Sequence, residues 1–368
     1  TQKVRKSISS LETQLSSRFT PVDITCVITS YNNADTLRRA ITSVLAQEPP
    51  IKKIIIADDG SEDGSRDLIR SIARDHPQIS AAFRDRNLGP SLNRHLALLE
   101  ASTPFITQLD GDDAFAATKI LAETKALEGD LNAIAFSDIL IEKTDGENHF
   151  VNTEVFEQIS SKSDRVWHLA TRASPPPRDM LLSKQTYLAA GGYSSAIGIY
   201  EDWDLKIRLA SLVDNWRHSG AVGTKYLRSG TGLSSINATR HAYWLTRVIS
   251  KNITSILAAR DDRSLHELAD VISRHTSKLS SAQYLLNTID YFDHGFISDI
   301  DLRSKFEAFD YRAPSNPTAN EIDSRFQVFR TPKPADYPRD NGPEREHNKQ
   351  PIAVLTKTSF IHHGDTQV

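Results

Sequence analysis

The sequence predicts an α/β fold: a mostly parallel sheet flanked by helices, followed by a mainly helical C-terminal extension. Three observations predict it. Short apolar runs, Ile24-Thr25-Cys26-Val27-Ile28-Thr29, Lys53-Ile54-Ile55-Ile56-Ala57 and Phe105-Ile106-Thr107-Gln108-Leu109, are separated by amphipathic stretches of helical period. Continuous apolar runs suit strands buried on both faces, and the intervening helices supply the crossovers that parallel pairing requires. Each run also stops at a polar, turn-forming cluster, which is where open sheets of this kind hold ligands.

Taken in order, the first 20 residues place Ile8, Leu11 and Leu15 at helical spacing and predict an isolated helix that docks elsewhere. After the strand at Ile24 to Thr29, a helix is expected from Asp35 to Ala46, with Leu37, Ala40, Ile41, Val44 and Leu45 on its apolar face. The second strand stops at Asp58-Asp59-Gly60-Ser61, a second helix runs from about Asp63 to Arg74, and Ile79 to Arg84 reads as a short third strand. Gly89-Pro90-Ser91 opens a helix through Leu99, with proline where its missing N–H costs nothing. The strand from Phe105 follows and ends at Asp110-Gly111-Asp112-Asp113. Residues 146–200 are less regular, with Pro175-Pro176-Pro177 as a rigid extended segment, and residues 200–213 form a helix that begins with acids. Lys225 to Arg228 reads as a strand, 236–309 as mostly helical, and the remainder as polar and proline-containing until a fresh strand at Pro351 to Thr356. The expected organisation is thus 1–20, 21–235, 236–310 and 311–368. A first residue of Thr1 rather than Met suggests a piece of a longer multidomain chain.

Composition narrows the class. A formal net charge of −3 gives no reason to expect nucleic acid as a partner. No window reaches the ~18 apolar residues of a membrane span, and no signal-peptide pattern is seen. The single cysteine, Cys26, has no disulfide partner and lies in an apolar run, which predicts a core residue in a reducing, cytoplasmic compartment.

Three carboxylates within four residues at 110–113 repel one another, and packing alone would not select them. A hard divalent cation, Mg²⁺ or Mn²⁺, resolves such crowding. An Asp-Gly turn followed by a helix-capping Asp explains the same residues without a metal. The clusters at 29–32 and 58–61 admit turn chemistry as well, but three polar clusters at successive strand ends point together to one ligand carrying a base, sugar hydroxyls and phosphates.

Val27-Ile28-Thr29-Ser30-Tyr31-Asn32, Asp58-Asp59-Gly60-Ser61, Asn87-Leu88-Gly89 with Asn93, and Leu109-Asp110-Gly111-Asp112-Asp113 occur in the order and spacing of glycosyltransferase family 2, with its GT-A fold. Gly191-Gly192-Tyr193 and Glu201-Asp202-Trp203-Asp204-Leu205 with Arg208 resemble the acceptor-side helix of that family. The resemblance covers residues 23–235. It implies an inverting transferase that moves a sugar from a nucleotide-sugar donor, UDP-linked, to a glycan or lipid-linked saccharide acceptor with a divalent metal. Thr29 and Tyr31 would contact the base, Asp59 its hydrogen-bonding edge, and Asn87 the donor. Asp110 would lie by the ribose and metal, Asp112 would ligate the metal directly, and Asp113 would cap the next helix. Asp202 would be the general base, with Glu201 and Trp203 on the acceptor side and Glu201 raising the base's pKa or binding acceptor hydroxyls.

The residue types suit that chemistry. Displacing a nucleoside diphosphate builds negative charge that a divalent ion stabilises, and a carboxylate on the opposite face can take the acceptor's proton. The family's frequent His after the last strand is missing, because Ser229-Gly230-Thr231-Gly232-Leu233-Ser234 stands there. Arg228 is then the group expected to reach a phosphate, and the glycines suggest a flap that closes over the donor. The aromatic and basic positions His241, Tyr243, Trp244 and Arg247 read as helix packing. For the helical C-terminal region three readings stand open: acceptor subdomain, dimer surface or peripheral membrane contact. Two rival readings of the whole remain, a nucleotidyltransferase and a non-catalytic binding module of this fold.

Overall fold

The computed structural model describes residues 22–143, 146–228, 238–273, 286–289, 292 and 298–307. The expected N-terminal helix, the flap at Ser229 to Ser234 and the tail from 311, including its strand at Pro351 to Thr356, lie outside the described residues.

The first half alternates as the sequence suggests. β1 (Val22–Ser30) leads through α1 (Ala34–Leu45) to β2 (Ile51–Asp58), then α2 (Ser65–Asp75), β3 (Ile79–Phe83), α3 (Pro90–Leu99) and β4 (Phe105–Asp110). The second half is denser in strands: β5 (Ala114–Phe115), α4 (Lys119–Leu127), β6 (Ala133–Lys143), β7 (His149–Val151), α5 (Val155–Gln158), α6 (Lys162–Ala170), β8 (Leu181–Ser183), α7 (Lys184–Ala189), α8 (Glu201–Leu212) and β9 (Asn215–Arg228). Four further helices are described: α9 (Ala238–Lys251), α10 (Ile253–Ala258), α11 (His266–Ser273) and α12 (Asp299–Glu307). None of the described helices is long and apolar enough to cross a membrane.

One nine-stranded sheet runs in the order β3-β2-β1-β4-β8-β6-β9-β5, with β7 on β6. β1 to β4 pair in parallel, as do β6 and β9, whereas β8 lies antiparallel to both β4 and β6. The mostly parallel expectation holds for the half built from β1 to β4. β8 and the full length of β9, which begins at Asn215 rather than Lys225, went unseen because these strands have no clean apolar period of their own.

Burial on both faces explains the continuous apolar runs. Along β1 and β2, Val27, Ile55 and Ala57 enter the core packed by α3, α6 and α8, while Ile24, Cys26, Ile28, Ile54 and Ile56 enter the core under α1 and α2. Each of these isoleucines contributes roughly 1.5–3 kcal/mol of burial. α1 meets that second core with Leu37, Ala40, Ile41 and Val44, a single stripe at helical spacing.

α8 is fixed from behind. Asp204, fully buried, accepts from Arg208 Nη2 at 2.6 Å, Lys251 Nζ at 2.8 Å and Asn252 Nδ2 at 2.8 Å. Leu245, Val248, Ile249 and Ile256 of α9 and α10 share one core with Trp203, Leu205 and Leu209. The helices after residue 238 are therefore packed into the body that carries the acidic helix.

Candidate active site

The sheet brings the three polar clusters side by side. Thr29 is in register with Ala57 on one side and Asp110 on the other, and Ser30 is in register with Asp58. All three clusters therefore leave the same edge of the parallel half. The loops are cross-tied: Asn32 N donates to Ser61 Oγ at 2.9 Å, Glu62 N donates to Asn32 Oδ1 at 2.8 Å, and Asp59 N donates to the Ser30 carbonyl at 2.8 Å. Tyr31 stands half-buried in this rim.

Asp59 turns inward. It is 3% exposed, and its two carboxylate oxygens accept from Leu88 N at 2.7 Å and Gly89 N at 2.8 Å. Gly89 opens α3 at φ +84°, a left-handed geometry that glycine adopts without cost, and its N–H also reaches Asn87 Oδ1 at 2.8 Å. Asp59 thus shapes the loop carrying Asn87. Burial pushes its pKa up to about 7, although the two backbone N–H bonds favour the ionised form. An acid whose folded pKa is raised contributes stability below its unfolded value, and that contribution is lost as pH rises through the folded pKa. The melting-temperature advantage of wild type over Asp59→Asn should therefore shrink between about pH 4 and pH 7; a difference that stays flat would contradict it.

At the end of β4 the acids sort into distinct roles. Gly111 is required by close approach, because a Cβ there would lie 2.5 Å from the Thr29 carbonyl oxygen. Asp110 accepts from Thr29 Oγ1 at 3.1 Å, from Arg178 Nη2 at 3.2 Å and from Arg94. Burial opposes its ionisation, but Arg94 and Arg178 hold its pKa below the ordinary carboxylate range. Asp113 does not cap the following helix, as the sequence suggested. It is fully buried and accepts from Arg178 Nη2 at 2.8 Å and from Leu227 N at 2.9 Å, so it pins β9 to the acidic turn. That bond sets the exposed Arg228 next to the site.

Asp112 is left over. It is half-buried, and among the described residues its side chain forms no ion pair and no hydrogen bond to another side chain. Burial, with Asp110 adding like charge, lifts its pKa. Among the described residues no three His, Cys, Asp or Glu side chains converge on one point. The uncommitted carboxylate suits a hard divalent ion, to which it would supply an oxygen ligand.

Across from this turn, α8 presents its acids. Arg94, 3% exposed in α3, donates to Glu201 Oε1 at 2.6 Å and also to Asp110, so one guanidinium brackets the two sides. Glu201 is thereby committed to Arg94. Asp202 is 41% exposed and accepts from Lys206 Nζ at 2.6 Å through Oδ2. Burial would raise its pKa, but Lys206, with Arg178 and Arg94 behind it, holds it well below the usual carboxylate range. The expected rise imposed by Glu201 is therefore reversed. Glu201 itself moves up through burial, with Arg94 offsetting and Asp202 reinforcing the shift. Two neighbouring carboxyls pushed apart in this way suit an anion beside a held partner.

Trp203 is corrected too. It is 2% exposed, its Nε1 donates to the Leu169 carbonyl at 2.6 Å, and it anchors the first turn of α8 in the core. Tyr200, in the left-handed region at φ +67°, precedes Glu201 and hydrogen-bonds His241 Nδ1 at 2.7 Å. Arg94, Arg178 and Lys206 were missed in the sequence. Arg94 follows Asn93 directly, Arg178 follows the triple proline, and Lys206 lies one helical turn after Asp202, so spacing alone could have flagged the last.

Residues 25–175 match the family described as Glycosyl transferase family 2. The succinoglycan biosynthesis protein ExoU of Rhizobium meliloti is 35% identical over 95 residues, covering 26% of this chain and 28% of that protein. The GalNAc(5)-diNAcBac-PP-undecaprenol beta-1,3-glucosyltransferase of Campylobacter jejuni is 32% identical over 124 residues, covering 33% of this chain and 39% of that one. The chain thus spans well under two thirds of the curated relatives it matches. The crystal structure of S. aureus TarS 1-349 in complex with UDP-GlcNAc superposes with a TM-score of 0.51 at 14% identity, covering 78% of this chain and 90% of that one. With the sheet order and the strand-end clusters in place, residues 25–175 are a glycosyl transferase family 2 domain on a GT-A fold.

Proposed function

We propose that the chain transfers a sugar, with inversion, from a UDP-linked donor to a glycan or lipid-linked saccharide acceptor. The observation that carries the reading is the Arg94 bracket: one buried guanidinium joins Asp110 of the donor turn to Glu201, the neighbour of the exposed Asp202. In this reading it ties the turn proposed to face the nucleotide to the helix that carries the proposed base. Relatives named for polysaccharide and undecaprenol-linked substrates, and a neighbour in complex with UDP-GlcNAc, support the acceptor and donor classes.

In this reading Thr29, Tyr31 and Asn87 line the nucleotide side, with Asp59 shaping the loop that carries Asn87. Arg228 approaches the diphosphate, and Asp112 supplies the protein oxygen for a divalent ion. When bound, such an ion neutralises charge on the departing diphosphate. Asp202 takes the proton of the acceptor hydroxyl as its oxygen bonds to the anomeric carbon. The bond from that carbon to the diphosphate breaks, and its electron pair leaves on the phosphate oxygen. Attack from the face opposite the leaving group gives inversion. Asp202 is ionised throughout the neutral range, so it is always available as the acceptor of that proton.

The test is incubation of the whole chain with a panel of nucleotide sugars and Mn²⁺. Release of nucleoside diphosphate from a UDP-sugar, suppressed about tenfold or more by EDTA and by Asp112→Ala, is expected. Release of nucleoside monophosphate, or turnover indifferent to chelator and to Asp112→Ala, would overturn the donor chemistry or the metal role respectively.

A further inference from the structure

Lys206 lies one turn beyond Asp202 on α8, and its side chain is 4% exposed. Neighbouring positions of the helix, Leu205 and Leu209, are core residues, and a buried ammonium among them is costly unless it is paired. Among the described residues Asp202 is its only hydrogen-bonding partner, at 2.6 Å. Its surroundings are a small cavity lined also by Gln108, Met180, Tyr193 and a second carboxylate, Asp179, which accepts from Thr224 Oγ1 at 2.8 Å and lies 3.9 Å from Arg178 Nε. An exposed pair at this helical spacing would contribute little and restrain nothing. Here the cation is fixed by packing and only the carboxylate reaches the opening.

The bond engages Oδ2, and Oδ1 accepts no hydrogen bond from the described residues. Asp202 is thus tied by one oxygen, with the other left for a ligand. Other charges face it from each packed element: Glu201 on its own helix, Arg94 on α3, Arg178 ahead of β8, and the Tyr193 hydroxyl from the loop before α8. Arg94 and Arg178 are occupied by Asp110, Asp113 and Glu201. Only Lys206 is committed to Asp202.

We propose that Lys206 is a positioning residue for the transfer reaction, its buried ammonium setting the rotamer and charge of Asp202 so that Oδ1 is presented to the acceptor hydroxyl. This rests on Asp202 acting as the base. It also implies a compromise: the pairing lowers the proton affinity of the base while securing its geometry, and geometry dominates when reacting atoms must approach within hydrogen-bond reach.

The experiment compares wild type, Lys206→Met, Lys206→Arg and Asp202→Asn in the full chain, by two readouts. In ¹³Cγ-aspartate NMR, assigned with Asp202→Asn, the Asp202 carboxyl should not titrate above about pH 4 in wild type and should move up by about one unit or more in Lys206→Met. In Mn²⁺-supported hydrolysis of UDP-GlcNAc at neutral pH, Lys206→Met should lower kcat about tenfold with KM for the donor within about twofold, and Lys206→Arg should restore most of the loss. A purely structural lysine would lower the melting temperature of Lys206→Met and leave both the titration and kcat at wild-type values, which overturns the proposal. The carboxyl titration decides without turnover. Wild-type hydrolysis by Asp202→Asn would instead remove the base assignment itself.

Discussion

Asp202→Asn is expected to lower kcat for sugar transfer by about 10²–10⁴-fold, the usual contribution of a positioned general base, with little change in fold. The substitution keeps the size of the side chain and an oxygen for Lys206 Nζ, so the restraint on α8 survives. It removes the carboxylate proposed to take the acceptor's proton. KM for the donor should stay within about twofold, because the proposed role of Asp202 is toward the acceptor and not the nucleotide. The measurement is steady-state kinetics beside thermal melting. Near-normal turnover would show that another group, or water, receives the proton.

Arg94→Met should be the most damaging substitution for stability. The arginine is almost wholly buried, and its removal strands Glu201 and leaves Asp110 with only Arg178 as counter-ion. Breaking one side of a buried ion network typically costs about 3–5 kcal/mol, since the partner charges remain unpaired. Urea unfolding of Arg94→Met should show a loss of that order, and the double variant Arg94→Met/Glu201→Gln should recover part of it. A single variant within about 0.5 kcal/mol of wild type would mean that the network is solvated more than its burial implies. Transfer should also fall, because the donor turn and α8 lose their common tie.

Much of the donor half was legible because local pattern and tertiary environment agree there. β1, β2 and β4 are apolar on both faces, so their runs ended visibly at Thr29, Asp58 and Asp110. What the pattern could not show was the direction in which each polar side chain turns. In sequence Asp59 looks like a ligand group and Asp113 like a helix cap, yet each is spent on backbone N–H groups from distant segments, Leu88 and Gly89 in one case and Leu227 in the other. Trp203 sits among acids at a helix start, but the face it occupies is decided by Leu169, outside that helix. Arg94 and Arg178 acquire meaning only when the fold sets them against acids far along the chain. The antiparallel β8 is equally non-local, since its neighbours β4 and β6 define it more than its three residues do.

The anchor at Asp204 bears on how such chains diversify. The stretch matching the family ends at 175, and the sequence reading set a boundary at 235, so everything after it invites description as an appendage. Yet Lys251 and Asn252 grip the same helix that presents Asp202, and the apolar residues of α9 continue that helix's own core. Exchanging the C-terminal helices between relatives is therefore no swap of a detachable module. Each replacement must bring its own counter-charge for Asp204, or the helix that presents Asp202 is retuned with it.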